Sequence, residues 1–201
     1  NRERFGFTTT QKPFPGVLHE DTQETIEMIT STKWLTKSEL TYIWEWTWCT
    51  RLGHEYNFTR DIADFMVQNN LCTKLEFYNR FYEFIYNNDG VIHRAFMFAK
   101  SRIDDHQFGL ASQSLGFREK LTGDSRDETF SEISNFLLTF NLDNELHNEL
   151  IKFCDARLYN TNIEYPLEKT FNYNIVNKLK NKLNMPMKVE FTPTLFGANG
   201  T

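Results

Sequence analysis

Thr36 stands three residues ahead of Glu39, and Thr73 three residues ahead of Glu76, each pair at the head of an amphipathic run. In such a box the hydroxyl accepts from the third helical amide while the carboxylate reaches back to the cap's own N–H. Two donors that a helix start leaves orphaned are thereby satisfied, so the spacing predicts helices over Lys37–Gly53 and from Thr73 to about Tyr86. The first has Leu40, Ile43, Trp44, Thr47, Trp48 and Leu52 as its expected core stripe, with Trp46 off it. The second carries Leu75, Tyr78, Phe81, Tyr82 and Ile85 at helical spacing and stops at Asn87-Asn88-Asp89-Gly90. Between them, Thr59 opens a helix through Gln68 with Asn69-Asn70 at its end.

Composition supports long helices with a ring-filled core. Nine glycines and five prolines in 201 residues are few against the roughly 12% of average usage, while aromatic residues make up 15%. A helix is expected from Val91 to about Ile103, with Ile92, Ala95, Phe96, Ala99 and Ile103 as its stripe, then a glycine-containing loop over 104–124. Asp127 or Thr129 leads a helix through Phe140, and Asp143 caps the next, which carries Leu146, Leu150, Phe153 and Cys154. So short a link makes these two an antiparallel hairpin. Asn172 is the expected cap of a last helix to about Leu183. Alternating Met187–Phe191 reads as one short strand, with Glu164–Phe171 as its partner.

The fold expectation is therefore all-α: six to seven helices in antiparallel packing, with one short C-terminal β pair. Residues 1–35, broken by Lys12-Pro13-Phe14-Pro15-Gly16, form an extended N-terminal arm. Residues 36–201 form a single helical domain, with sub-units at 36–105 and 125–185.

A net charge of −5 leaves no electrostatic footprint for nucleic acid or an anionic membrane. Apolar runs of only a few residues span no bilayer, so a soluble, cytoplasmic protein is expected. Cys49, Cys72 and Cys154 fit neither a paired disulfide set nor a Cys-x-x-Cys site, and read as reduced thiols. Nucleophile elbows and phosphate-cradling glycine loops are absent from the sequence.

Two constellations remain. Asp104-Asp105-His106-Gln107-Phe108-Gly109 satisfies D-x-H-x-x-G, in which a histidine ligates cobalamin cobalt, with Asp104, His106 and Gly109 in the motif positions. No strand precedes it and no Gly-Gly follows, so a solvated loop is the simpler expectation. The second is the candidate binding surface of Trp44, Trp46, Trp48, Arg51, His54, Thr59 and Arg60, where hydrogen-bonding groups adjoin a large apolar area. No metal site is expected, and no residue is assigned a catalytic role.

Ile29-Thr30-Ser31-Thr32-Lys33-Trp34-Leu35-Thr36, the run His54-Glu55-Tyr56-Asn57-Phe58-Thr59-Arg60 and Phe81-Tyr82 together resemble the region downstream of the barrel in cobalamin-binding radical S-adenosylmethionine enzymes. That region has an H-x-x-G-x-T-R run, and Asn57 replaces its glycine with a residue that also tolerates the left-handed conformation. Thr129–Leu137 and Pro166–Asn174 resemble its later helix and tail. The family's Cys-x₃-Cys-x₂-Cys loop is absent, so the resemblance implies a C-terminal helical portion without the catalytic core. It would bind no cofactor alone, while the parent would use an iron–sulfur cluster, S-adenosylmethionine and cobalamin for methyl transfer, cyclisation or rearrangement. The implied role is to cover the barrel or contact substrate. The alternatives are a stand-alone interaction module, including a homodimer, and a small enzyme with a pocket around His54 and Arg60.

Overall fold

The computed structural model describes residues 2–13, 25–55, 59–101, 125–158, 162–175, 186–194 and 197–200. Among these, helices α1 (Arg2–Phe5), α2 (Lys37–Glu55), α3 (Arg60–Gln68), α4 (Lys74–Asn87), α5 (Val91–Ser101), α6 (Arg126–Leu138) and α7 (Asn144–Arg157) dominate. A ribbon of β1 (Thr8–Pro13) and β2 (Thr25–Ser31) precedes α2, and β3 (Leu167–Phe171), β4 (Met187–Thr194) and β5 (Gly197–Gly200) form a sheet in that order. The chain is thus mostly helical with a small C-terminal sheet, as its patterning predicts.

The caps form where expected. Thr36 N–H donates to Glu39 Oε2 at 2.8 Å and Glu39 N–H to Thr36 Oγ1 at 3.3 Å, closing a complete box. The box ahead of α4 is half made: Glu76 N–H donates to Thr73 Oγ1 at 3.1 Å, but the Glu76 carboxylate turns to Arg80 at 2.9 Å. Asp143 accepts from Leu146 N–H at 2.9 Å to start α7. Ser125, not Asp127 or Thr129, is the cap residue of α6.

Rings from two helices build the centre. Phe77 and Phe81 of α4 meet Phe136 of α6 edge-on at 5.2 and 5.1 Å, and Phe140 stacks on Phe77 at 5.4 Å. Such pairs add about 0.5–1.5 kcal/mol each beyond area burial. The buried face of α4 is Phe77, Tyr78, Phe81, Tyr82 and Ile85, whereas Leu75 is exposed. Phe77 claims that face by packing on Phe136, and Leu75, two positions or about 200° away, falls on the opposite side of the helix. A second cluster, Phe153 of α7 with Phe171 of β3 and Phe191 of β4, fastens the sheet to the helices at centroid distances of 5.7–6.1 Å.

The expected stripe of α2 is rotated. Glu45, Trp48, Cys49, Leu52 and Gly53 are buried, while Ile43, Trp44 and Thr47 are exposed and Trp46 is half-buried against the core. A carboxylate occupies the inward position in mid-helix because partners from α4 and α5 meet it there. At the end of α2, a Cβ on Gly53 would come within 2.6 Å of Thr59 Oγ1 and 3.0 Å of the Phe81 ring. Only glycine lets the α2–α3 corner close, and Thr59 N–H donates to the Gly53 carbonyl across it at 3.0 Å.

Among the described residues of the expected arm, Thr8–Pro13 pairs with Thr25–Ser31: β1 and β2 run antiparallel from Thr8↔Ser31 to Pro13↔Thr25. The Thr8-Thr9-Thr10 run suits a pleated strand through its β-branching. Gly6, at φ 58°, turns the chain so that Lys33 N–H reaches the Phe5 carbonyl at 3.2 Å. In the C-terminal sheet β3 pairs with β4 from Leu167↔Phe191 to Phe171↔Met187, as expected, and β5 is an unforeseen third strand. Asn172–Ile175, expected to open a helix, is not helical, and the remainder of that expected helix lies outside the described residues. The expected extension of α5 to Ile103 and the 104–124 loop also lie outside them.

Candidate functional site

Helix α2 meets α4 and α5 along a groove of about 680 Å³, lined by Thr36, Lys37, Ser38 and Thr41 and by Tyr42, Glu45, Tyr86 and Lys100. Its floor is the Glu45 carboxylate, a residue only 9% exposed. Tyr82 Oη donates to Glu45 Oε2 at 3.2 Å, and Lys100 Nζ lies 3.3 Å from Oε1. Lys100 also donates to Tyr86 Oη at 3.4 Å and sits 4.8 Å above the Tyr86 ring. Tyr42 meets Tyr82 edge-on at 5.5 Å, and Tyr82 meets Tyr86 at 5.7 Å.

The electrostatics follow from this enclosure. Burial pushes the Tyr82 phenol well above its ordinary range, and the Glu45 charge adds to it, so Tyr82 stays a protonated donor. Burial works to lower Lys100, but its Tyr86 hydrogen bond and the Glu45 carboxylate outweigh that, and its pKa lies above the usual lysine value. The lysine is held as a cation. None of Tyr42, Glu45, Tyr82, Tyr86 and Lys100 stood out as a site in the sequence.

The sequence-predicted surface does not form one platform. Trp44 is exposed, Trp46 is half-buried with its Nε1–H donating to Asn79 Oδ1 at 2.9 Å, and Trp48 is buried under the Arg51 guanidinium, 4.9 Å from its centroid. His54 Nδ1 and Tyr78 Oη are 2.8 Å apart, with the two rings edge-on at 5.9 Å. Thr59 is buried at the cap of α3, and burial pushes the Tyr78 phenol up. Arg60 is half-buried and lies 4.0 Å from Asp61, which pairs with the buried Arg157 at 3.0 Å. These residues make a polar seam between α2, α3 and α4. Asp104, His106 and Gly109 lie outside the described residues.

A second cavity of about 590 Å³ opens beside the start of α5, lined in part by Asp89, Gly90, Arg94, Glu128 and Glu132. Buried Glu132, from α6, accepts from Ile92 N–H at 2.8 Å and His93 N–H at 3.3 Å, so it caps α5 from another helix. Burial pushes the Glu132 carboxyl up, partly offset by those two amides. Among the described residues no group of three or more His, Cys, Asp or Glu could hold a metal ion. No helix there is long and apolar enough to cross a membrane. No protein-family model matches the chain, and no curated protein matches it.

Proposed function

We propose that this chain is a helical docking domain without catalytic residues of its own, whose partner is the catalytic barrel of a cobalamin-dependent radical S-adenosylmethionine enzyme. One observation carries the docking part. Tyr42, Ile43 and Trp44 follow one another on α2 at 53, 43 and 44% exposure, on a helix whose C-terminal half is core. Trp34, 62% exposed, extends the apolar surface ahead of α2, and β2 packs against that helix. Several large apolar side chains left exposed around one helix are what an interaction site presents.

The barrel as partner rests on the resemblance, whose motif residues Thr30–Thr36, His54, Thr59-Arg60 and Phe81-Tyr82 lie on the β2–α4 framework that presents this face. On this reading the iron–sulfur cluster, S-adenosylmethionine and cobalamin belong to the partner. Cys49 and Cys154 are buried, with thiols pushed up by burial, the reverse of an exposed thiolate ligand set. The chain's contribution is to cover the barrel mouth and exclude water.

The test is calorimetric titration of the chain with the polypeptide encoded directly upstream. That polypeptide is expected to carry a Cys-x₃-Cys-x₂-Cys loop, and Ile43→Asp with Trp44→Asp is expected to weaken binding at least about tenfold, roughly 1.4 kcal/mol. An upstream product without such a loop, or binding indifferent to both substitutions, overturns the reading. A dimer dissociated by the same pair would reassign the face to a second copy of this chain.

A further inference from the structure

The groove over Glu45 is built around an ammonium group. A carboxylate on its floor, a phenol oxygen and a tyrosine ring surround Lys100 Nζ at 3.3, 3.4 and 4.8 Å respectively. This combination of charge and ring faces is how proteins hold organic cations. The occupant comes from the chain itself, and it leaves much of the site unused. An ionised carboxylate offers about four acceptor positions, of which Tyr82 and Lys100 take one each. The groove's volume of about 680 Å³ lies within the roughly 300–1,000 Å³ of small-ligand sites. Lys100 is next to the last residue of α5 and its side chain is 28% exposed, so it can swing out without unpacking the core.

From this geometry we infer that the groove recognises an organic ammonium group, and that Lys100 is its resident, displaceable occupant. The tethered lysine competes at the high effective concentration of an intramolecular ligand. An incoming cation sits on Glu45 against Tyr86 and Tyr42, while Lys100 moves to solvent. The cation is either a free amine or a lysine side chain on a partner. The groove shares Tyr42 with the docking face, but its test is separate, because the Ile43 and Trp44 substitutions leave Glu45, Tyr86 and Lys100 in place.

The experiment follows tyrosine-ring NMR shifts while wild type and Lys100→Ala are titrated with butylammonium and, separately, with N-acetyl-lysine methylamide. Removal of the internal competitor is expected to tighten binding at least about tenfold, roughly 1.4 kcal/mol. Glu45→Gln in the Lys100→Ala background is expected to abolish binding. Tyr86→Leu, at an exposed position, is expected to weaken it and serves if the Glu45 variant does not fold. Tighter binding of the lysine mimic assigns the cation to a partner side chain, and tighter binding of butylammonium to a free amine; both support the inference. No saturable shift in Lys100→Ala, or binding indifferent to both Glu45→Gln and Tyr86→Leu, overturns it.

Discussion

Replacing Gly90 with alanine inserts a methyl group where the fold has placed a buried carboxylate. The added Cβ would lie within 2.6 Å of Glu132 Oε1 and closer still to Oε2 and Cδ, inside the 3.0 Å that real Cβ atoms respect. Backbone cannot yield there, because Gly90 holds the first helical bond of α5, from Arg94 N–H at 2.9 Å. Glu132 must therefore withdraw, and the amides of Ile92 and His93 lose their acceptor. A buried donor left unsatisfied costs about 1–3 kcal/mol, and the longer His93 bond counts for less, giving a loss of about 2–4 kcal/mol. Urea unfolding followed by far-ultraviolet circular dichroism measures it as a lowered midpoint at unchanged slope. The same alanine in a Glu132→Ala background meets no carboxylate, so its extra cost there is expected to fall below about 0.5 kcal/mol. A loss under about 0.5 kcal/mol in the single variant, or an equal penalty in both backgrounds, refutes the remote-cap reasoning.

Three further outcomes are expected. Glu132 is raised in the fold, so its contribution is fully present below the ordinary glutamate pKa and is lost as pH rises through the raised folded value. The stability of wild type relative to Glu132→Gln, from denaturation at a series of pH values, should therefore grow as pH falls from neutral; a flat difference refutes this. Arg157→Leu removes the partner of Asp61 from a side chain only 5% exposed and is expected to cost about 2–4 kcal/mol, recovered in part by Asp61→Asn in the same unfolding assay. Cys72 is half-buried while Cys49 and Cys154 are buried, the Cys154 thiol being pushed up to about 12. One thiol should react first with a colorimetric thiol reagent at mildly alkaline pH, and a fast phase that persists in Cys72→Ser refutes the assignment.

What the sequence reveals is what local chemistry writes. Thr36 with Glu39, Thr73 and Asp143 announce helix starts because a cap and its amides lie within three residues, and Met187–Phe191 announces its strand by alternation. The rotated face of α2 is hidden because Glu45 is inward only by virtue of Lys100, 55 positions away, and Tyr82. Glu132 reads as one more charge in an amphipathic helix, since the amides it serves lie 40 residues earlier. Strand β5, Gly197-Ala198-Asn199-Gly200, has no side-chain pattern at all and forms through backbone pairing with β4. The groove is hidden for the same reason as the rotated helix face: its residues are ordinary until three helices bring them together.

The remote cap also imposes an order on synthesis. Helix α5 begins at Val91, but the oxygen atoms that accept its leading amides belong to a residue the ribosome adds 40 positions later. Lys100, near the other end of α5, reaches back to Glu45 and needs nothing still unmade. Helix α5 is thus held at its two ends by different helices, its first turn by Glu132 of α6 and its last by Glu45 of α2.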